Sequence, residues 1–142
     1  MTKAQRILSH GEVEAVRESF ATLQPRVGEA SQMFYERLFA IAPELRSLFR
    51  DEIEEQGMRF MTALGAILNY IDDPVALTPH LQRLAKGHSA YGIKPEHFRP
   101  MGEALIWTMR KSLGDRLSSE AEAAWVRAYD ELARRMIELA KE

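Results

Sequence analysis

Cysteine is absent from all 142 residues. Disulfides, thiolate metal sites and a cysteine nucleophile are therefore excluded, and a reducing compartment is compatible with the chain. An excess of either charge is also lacking, with 19 Lys and Arg against 21 Asp and Glu for a net charge of −2. Without a basic field nothing holds a nucleic-acid backbone, so nucleic acid is not expected as a partner. Long hydrophobic runs are missing as well. Ala63 to Leu68 is an apolar run of six residues, far below the roughly 20 that span a bilayer. Met1 to Gly11 carries no apolar segment of the secretory kind, so no membrane partner and a cytoplasmic location are expected. Several enzyme signatures are absent too: a Gly-rich phosphate loop, His-Glu-x-x-His, and the Glu-x-x-His pair of helical di-iron sites. Gly87-His88-Ser89-Ala90-Tyr91 lacks the second glycine of a nucleophile elbow, and no strand precedes it. Hydrolase chemistry is not supported.

What is present is helical periodicity. Apolar residues recur three and four apart throughout, and nothing reads as a strand, so the class is all-α. A first helix is expected from His10 to Leu23, with Val13, Val16, Phe20 and Leu23 on one face. Pro25 opens a second with Val27, Ala30, Phe34, Leu38 and Ile41 as its stripe. Pro43 starts a short turn ending at Leu48-Phe49. A third long helix covers Ile53 to Ile71 and is stopped by Asp72-Asp73-Pro74. The next begins after Pro79 and ends at Gly92. Pro95 opens a helix through Leu113 in which Pro100 marks the first turn or a kink, and Gly114 terminates it. Ser119-Glu120-Ala121-Glu122 reads as a capping box for a last helix that buries Trp125, Tyr129, Leu132, Met136 and Leu139. No repeat, linker or low-complexity segment interrupts the chain, and residues 1–142 are read as one domain.

Within this pattern His88 is unusual, because it falls on the apolar stripe of Leu81, Leu84 and Tyr91, where an imidazole needs a partner. Tyr35 borders the stripe of its helix, and Gln56 stands four residues before Phe60. Each has a plain alternative. A histidine on an apolar face is more often a core residue bonded to a backbone carbonyl. Tyr35 alone reads as a boundary tyrosine whose hydroxyl reaches water, Gln56 as solvated, and Phe49 as a loop aromatic plugging one end of a core. No single residue decides between these readings.

Taken together, Phe34-Tyr35-Glu36-Arg37-Leu38-Phe39, Pro43-Glu44-Leu45 to Leu48-Phe49, Gln56, Lys86-Gly87-His88 and Gly92-Ile93-Lys94-Pro95-Glu96-His97-Phe98 carry a resemblance. With Trp125-Val126-Arg127-Ala128-Tyr129 in the last helix, the chain resembles bacterial single-domain globins of the Vitreoscilla haemoglobin type and the globin domain of flavohaemoglobins over nearly its whole length. The resemblance implies a globin fold packed around heme b (iron protoporphyrin IX). His88 would be the proximal iron ligand, Phe49 would stack on the porphyrin, and Tyr35 and Gln56 would face the distal site of a pentacoordinate iron. Phe60, Leu64, Leu84, Ile93, Phe98 and Met101 would be apolar wall, and Arg59 a propionate partner. The activity implied is reversible binding of O2, NO and CO. NO dioxygenation with a separate reductase is the enzymatic alternative, and a gas or redox sensor or a haem-free interaction module is a third. A monomer or homodimer is expected. Three departures stand out. Phe98 replaces a tyrosine and Ala140 a glutamate that in flavohaemoglobins polarise the proximal histidine, although Glu138 and Glu142 lie close by. Phe60 replaces a leucine, adding bulk on the distal side. No flavin or nicotinamide segment follows within the 142 residues, so an outside reductase is expected for any redox cycle.

Overall fold

In the computed structural model the described residues are 8–48, 53–90, 92 and 94–141, with the side chains of 53, 54 and 88–90 outside that description. Six helices order the described residues: α1 (His10–Leu23), α2 (Val27–Ile41), α3 (Ile53–Asn69), α4 (Pro74–Ala90), α5 (Phe98–Leu113) and α6 (Ser119–Ala140). Short 3-10 turns occupy Gln24–Arg26, Pro43–Leu48, Pro95–His97 and Gly114–Arg116, and no strand is present among the described residues. None of these helices is long and apolar enough to cross a membrane.

Local chemistry sets the ends of the helices. Ser9 and Glu12 form a reciprocal cap, the Ser9 Oγ accepting from the Glu12 amide at 3.2 Å and the Glu12 carboxylate accepting from the Ser9 amide at 2.9 Å. This satisfies two of the amides left open at a helix start. Gly92 and Gly114, with φ of 83° and 53°, take the left-handed backbone that other residues resist. Five expected boundaries move, one of them the start of α5, which begins at Phe98 because Pro95 opens a separate 3-10 turn. The second helix begins at Val27, because Pro25 sits in a tight 3-10 turn that continues from α1. The third ends at Asn69, although Ile71 in the following turn stays buried. The fourth begins at Pro74 and not after Pro79: Asp73 Oδ1 accepts from the Ala76 amide at 3.3 Å, and a proline suits the first helical position. Pro79 is then inside α4. Its missing amide would have bonded the carbonyl of Val75, a residue 80% exposed, so water can serve that carbonyl. The last helix is capped by Ser118, whose Oγ accepts from the Ala121 amide at 3.0 Å. Glu122, assigned to the cap, is held instead by Arg110 at 2.6 and 2.9 Å.

Packing places α2 against α5 and α3, and α6 against α4, α1 and α5. Val16, Leu38, Leu105 and Trp125 are among the side chains buried where these helices meet. The Trp125 indole N–H donates to Ser19 Oγ at 2.7 Å, and that hydroxyl donates to the Ala15 and Val16 carbonyls within its own helix. Helices α2 and α3 cross at Gly57, where a Cβ would stand 2.5 Å from the Ser31 Cβ. Only a glycine allows that approach, which brings Tyr35 on α2 beside Gln56 on α3. By contrast α4 leans on α6 and barely touches α3.

Candidate functional site

The weakly packed seam between α3 and α4 opens into an apolar cavity of about 90 Å³. Phe60 and Leu64 from α3, Leu84 from α4, and Phe98 and Met101 from α5 line it, so five of the six residues that the resemblance implies as wall border one space. Ile93, the sixth, lies outside the described residues, as does Phe49. His88 occupies the α4 position four residues after Leu84, and its side chain is likewise outside. Cavities of this kind exclude bulk water when their lining is apolar, because no wall atom offers water its hydrogen bonds.

From the cavity an unbroken chain of aromatic rings runs outward along α2; Phe60 and Phe34 line the space, whereas Tyr35, Phe39, Gln56 and Arg59 stand behind that lining. Phe60 stacks on Phe34 with centroids 4.6 Å apart and planes at 6°, Phe34 meets Tyr35 edge-on at 5.0 Å, and Tyr35 lies 5.8 Å from Phe39. The Arg46 guanidinium closes the outer end over the Phe39 ring at 5.1 Å. Packed in this way Tyr35 is only 3% exposed, so its hydroxyl does not reach water as a boundary tyrosine's would. It donates instead to the Gln56 backbone carbonyl at 3.4 Å. That distance is long for an O–H···O bond, and the interaction is correspondingly weak. Burial pushes the Tyr35 phenol up to about 12, because a phenolate would lose its hydration there. Gln56 is half-buried. Arg59, one turn on, is largely exposed and reaches Glu55 at 4.0 Å.

The wall has further members that the sequence pattern did not mark as site residues. Phe34, Leu132, Met136 and Tyr129 also face the cavity. Helical periodicity assigns all four to a core but cannot say which part of a core encloses space. Tyr129 shows this best: its hydroxyl donates to the Phe98 carbonyl, 31 residues away, at 2.7 Å. Its ring passes so near Gly102 that a Cβ there would lie 2.6 Å from Tyr129 Cε2. Burial and the nearby Asp130 charge raise its pKa. Among the described residues, no three His, Cys, Asp or Glu side chains are grouped to hold a metal ion.

Residues 32–136 match the family described as Globin. The chain is 34% identical over 126 residues to a flavohemoprotein of Bordetella parapertussis, covering 86% of this chain and 31% of that protein. A Vibrio cholerae flavohemoprotein is 29% identical over 135 residues, covering 93% and 34%. One from Xylella fastidiosa is 37% identical over 101 residues, covering 69% and 25%. The chain thus spans about a third of the length of these curated relatives, or less.

Proposed function

The chain belongs to the globin family, and from that premise we propose that it holds heme b between α3 and α4 and binds O2, NO and CO reversibly. The observation that carries this reading is the convergence of Phe60, Leu64, Leu84, Phe98 and Met101 on one apolar cavity at a seam that packs loosely. A flat apolar group entering there would part α3 from α4 without breaking the firm contacts of α2 with α5 and of α4 with α6. The donor set agrees: with no cluster of acidic or histidine side chains among the described residues, the site suits a metal already held by a macrocycle. Haem, when bound, supplies an iron with one position left for a diatomic molecule.

The residues then divide the work. His88 would be the residue that holds the iron, with Phe49 and Ile93 as apolar neighbours of the ring. Arg59, whose side chain is more than 60% exposed, would pair with a propionate, and an exposed ion pair such as that with Glu55 contributes little that would be lost. Tyr35 keeps its proton across the physiological range and is always a donor. Its weak bond to the Gln56 carbonyl is readily exchanged for one to a polarised ligand, and the Gln56 amide offers a second N–H donor. Apolar walls raise the worth of both bonds by excluding water. The Phe98 side chain lines the cavity but carries no acceptor for an imidazole N–H, so little electron push on His88 comes from α5. Absorption spectra of the purified protein, with and without dithionite and CO, test the proposal. Haem bands that shift with each addition support it, whereas their absence after reconstitution with hemin leaves a haem-free module.

A second reading is NO dioxygenation with a separate reductase. It is favoured by the relatives, whose name joins a flavin to haem and which are about three times the length of this chain.

A further inference from the structure

On the outer side of α5, helices α2, α5 and α6 enclose a surface groove of about 750 Å³, the size of a small-molecule site. Its floor is apolar, formed by Ile41, Ile106, Trp107, Val126 and Ile137, and Val126 is 41% exposed. Contiguous apolar surface open to water marks a binding place more often than chance exposure. The rim is cationic, with Arg37, Arg99, Arg110 and Arg134 against Glu103 and Asp130. Three of these arginines have carboxylate partners: Arg99 with Glu103 at 3.7 Å, Arg110 with Glu122 at 2.6 Å, and Arg134 with Glu131 and Glu138.

Arg37 differs from the other three. Half-buried, it lies over the Trp107 ring at 5.1 Å, and no ion pair joins it to a carboxylate among the described residues. A guanidinium on a ring face is held in place by cation–π attraction while its edge donors stay available, and that planar fork fits a carboxylate. The Lys111 ammonium, 5.8 Å from the same ring, adds positive potential at this end of the groove.

We propose that the groove is a binding site for an apolar monocarboxylate, a medium-chain aliphatic acid whose carboxylate pairs with Arg37 and whose chain lies along Ile106, Val126 and Ile137. Arg37, the rim arginine that no carboxylate pairs among the described residues, sits beside an apolar trough, and that combination asks for one anionic head on an apolar body. The site is separate from the cavity between α3 and α4, although Phe98, Tyr129 and Ala133 line both spaces, and it does not rest on the haem reading. Calorimetric titration of the purified full chain with decanoate, and with decanol as the uncharged counterpart, tests it. The expected result is one decanoate per chain, bound about tenfold more weakly by Arg37→Gln and partly recovered by Arg37→Lys, with decanol weak throughout. Val126→Glu on the exposed floor should also weaken decanoate, and Leu64→Trp, which fills the inner cavity, should not. Equal binding of decanoate and decanol by the unaltered protein would overturn the proposal without any variant. So would loss of binding in Leu64→Trp with Val126→Glu unaffected, or unchanged affinity in a folded Arg37→Gln.

Discussion

Tyr35 combines a buried hydroxyl with a weak partner, and its consequences are measurable at the scale of one residue. Its phenol, raised to about 12, keeps its proton in the folded chain at pH values where the unfolded chain, near 10, has lost it. The unfolded state therefore binds fewer protons between these limits, and stability falls as pH rises through that window. Tyr129, raised further, adds a fall of the same sign. Urea midpoints measured from pH 9 to 11.5 should decline, and Tyr35→Phe should make the decline shallower. The same substitution removes one proposed donor to bound gas, of a kind worth about 0.5–1.5 kcal/mol, so O2 should dissociate up to roughly tenfold faster in stopped flow. Unchanged rates in both Tyr35→Phe and Gln56→Leu would exclude these residues as donors. His88 carries the sharper test. His88→Ala should lose the haem spectrum, while His10, His80 and His97 should be replaceable without that loss. Those three are engaged elsewhere: His10 with Glu14, His80 stacked on Tyr70, and His97 accepting the Lys94 amide.

Among the elements, the crossing of α2 over α3 governs how the proposed distal residues meet. A methyl at Gly57 has nowhere to go, since Ser31 Cβ lies 2.5 Å from where it would stand and Ser31 Oγ 2.7 Å. Gly57→Ala should force the helices apart, at a cost of about 1–3 kcal/mol seen as a lower urea midpoint. Pairing it with Ser31→Gly should recover most of the loss; no recovery would mean that the close crossing is not the cause. The joint of α1 and α6 offers an independent check. Ser19→Ala would leave the buried Trp125 indole N–H without its acceptor, at about 1–3 kcal/mol. Because that joint lies away from the cavity lining, the spectrum of bound haem should not change in Ser19→Ala, whereas Gly57→Ala should shift it.

For the whole molecule, the competing readings part on turnover. A globin of this chain alone should consume NO in a single burst once loaded with haem and O2, then stop in the ferric state until a reductase is supplied. Sustained consumption by the purified 142-residue chain with NADH alone would overturn this expectation. Absence of even the burst would leave gas binding or sensing.

The sequence by itself determined the all-α class and most helix boundaries, because apolar spacing at three and four residues and punctuation by Pro and Gly are local properties; the family was legible only as a resemblance carried by particular residues such as Phe34-Tyr35 and Lys86-Gly87-His88. That resemblance also implied Phe60, Leu64, Leu84, Phe98 and Met101 as wall, and these five line the cavity. Where local signals competed, the sequence misled: Pro79 looked like a start because proline so often is one, and Ser119 like a cap although Ser118 takes the role. Tertiary structure alone decided that α3 and α4 part to leave a cavity, that the Tyr35 hydroxyl meets a carbonyl of Gln56, and that Tyr129 reaches Phe98 across 31 residues. It also left Arg37 on the face of Trp107 above an apolar groove. These depend on how closely helices approach, which is fixed by contacts such as Gly57 with Ser31 and Gly102 with Tyr129. Periodicity names the face a helix buries; only packing settles which faces touch and where they leave room.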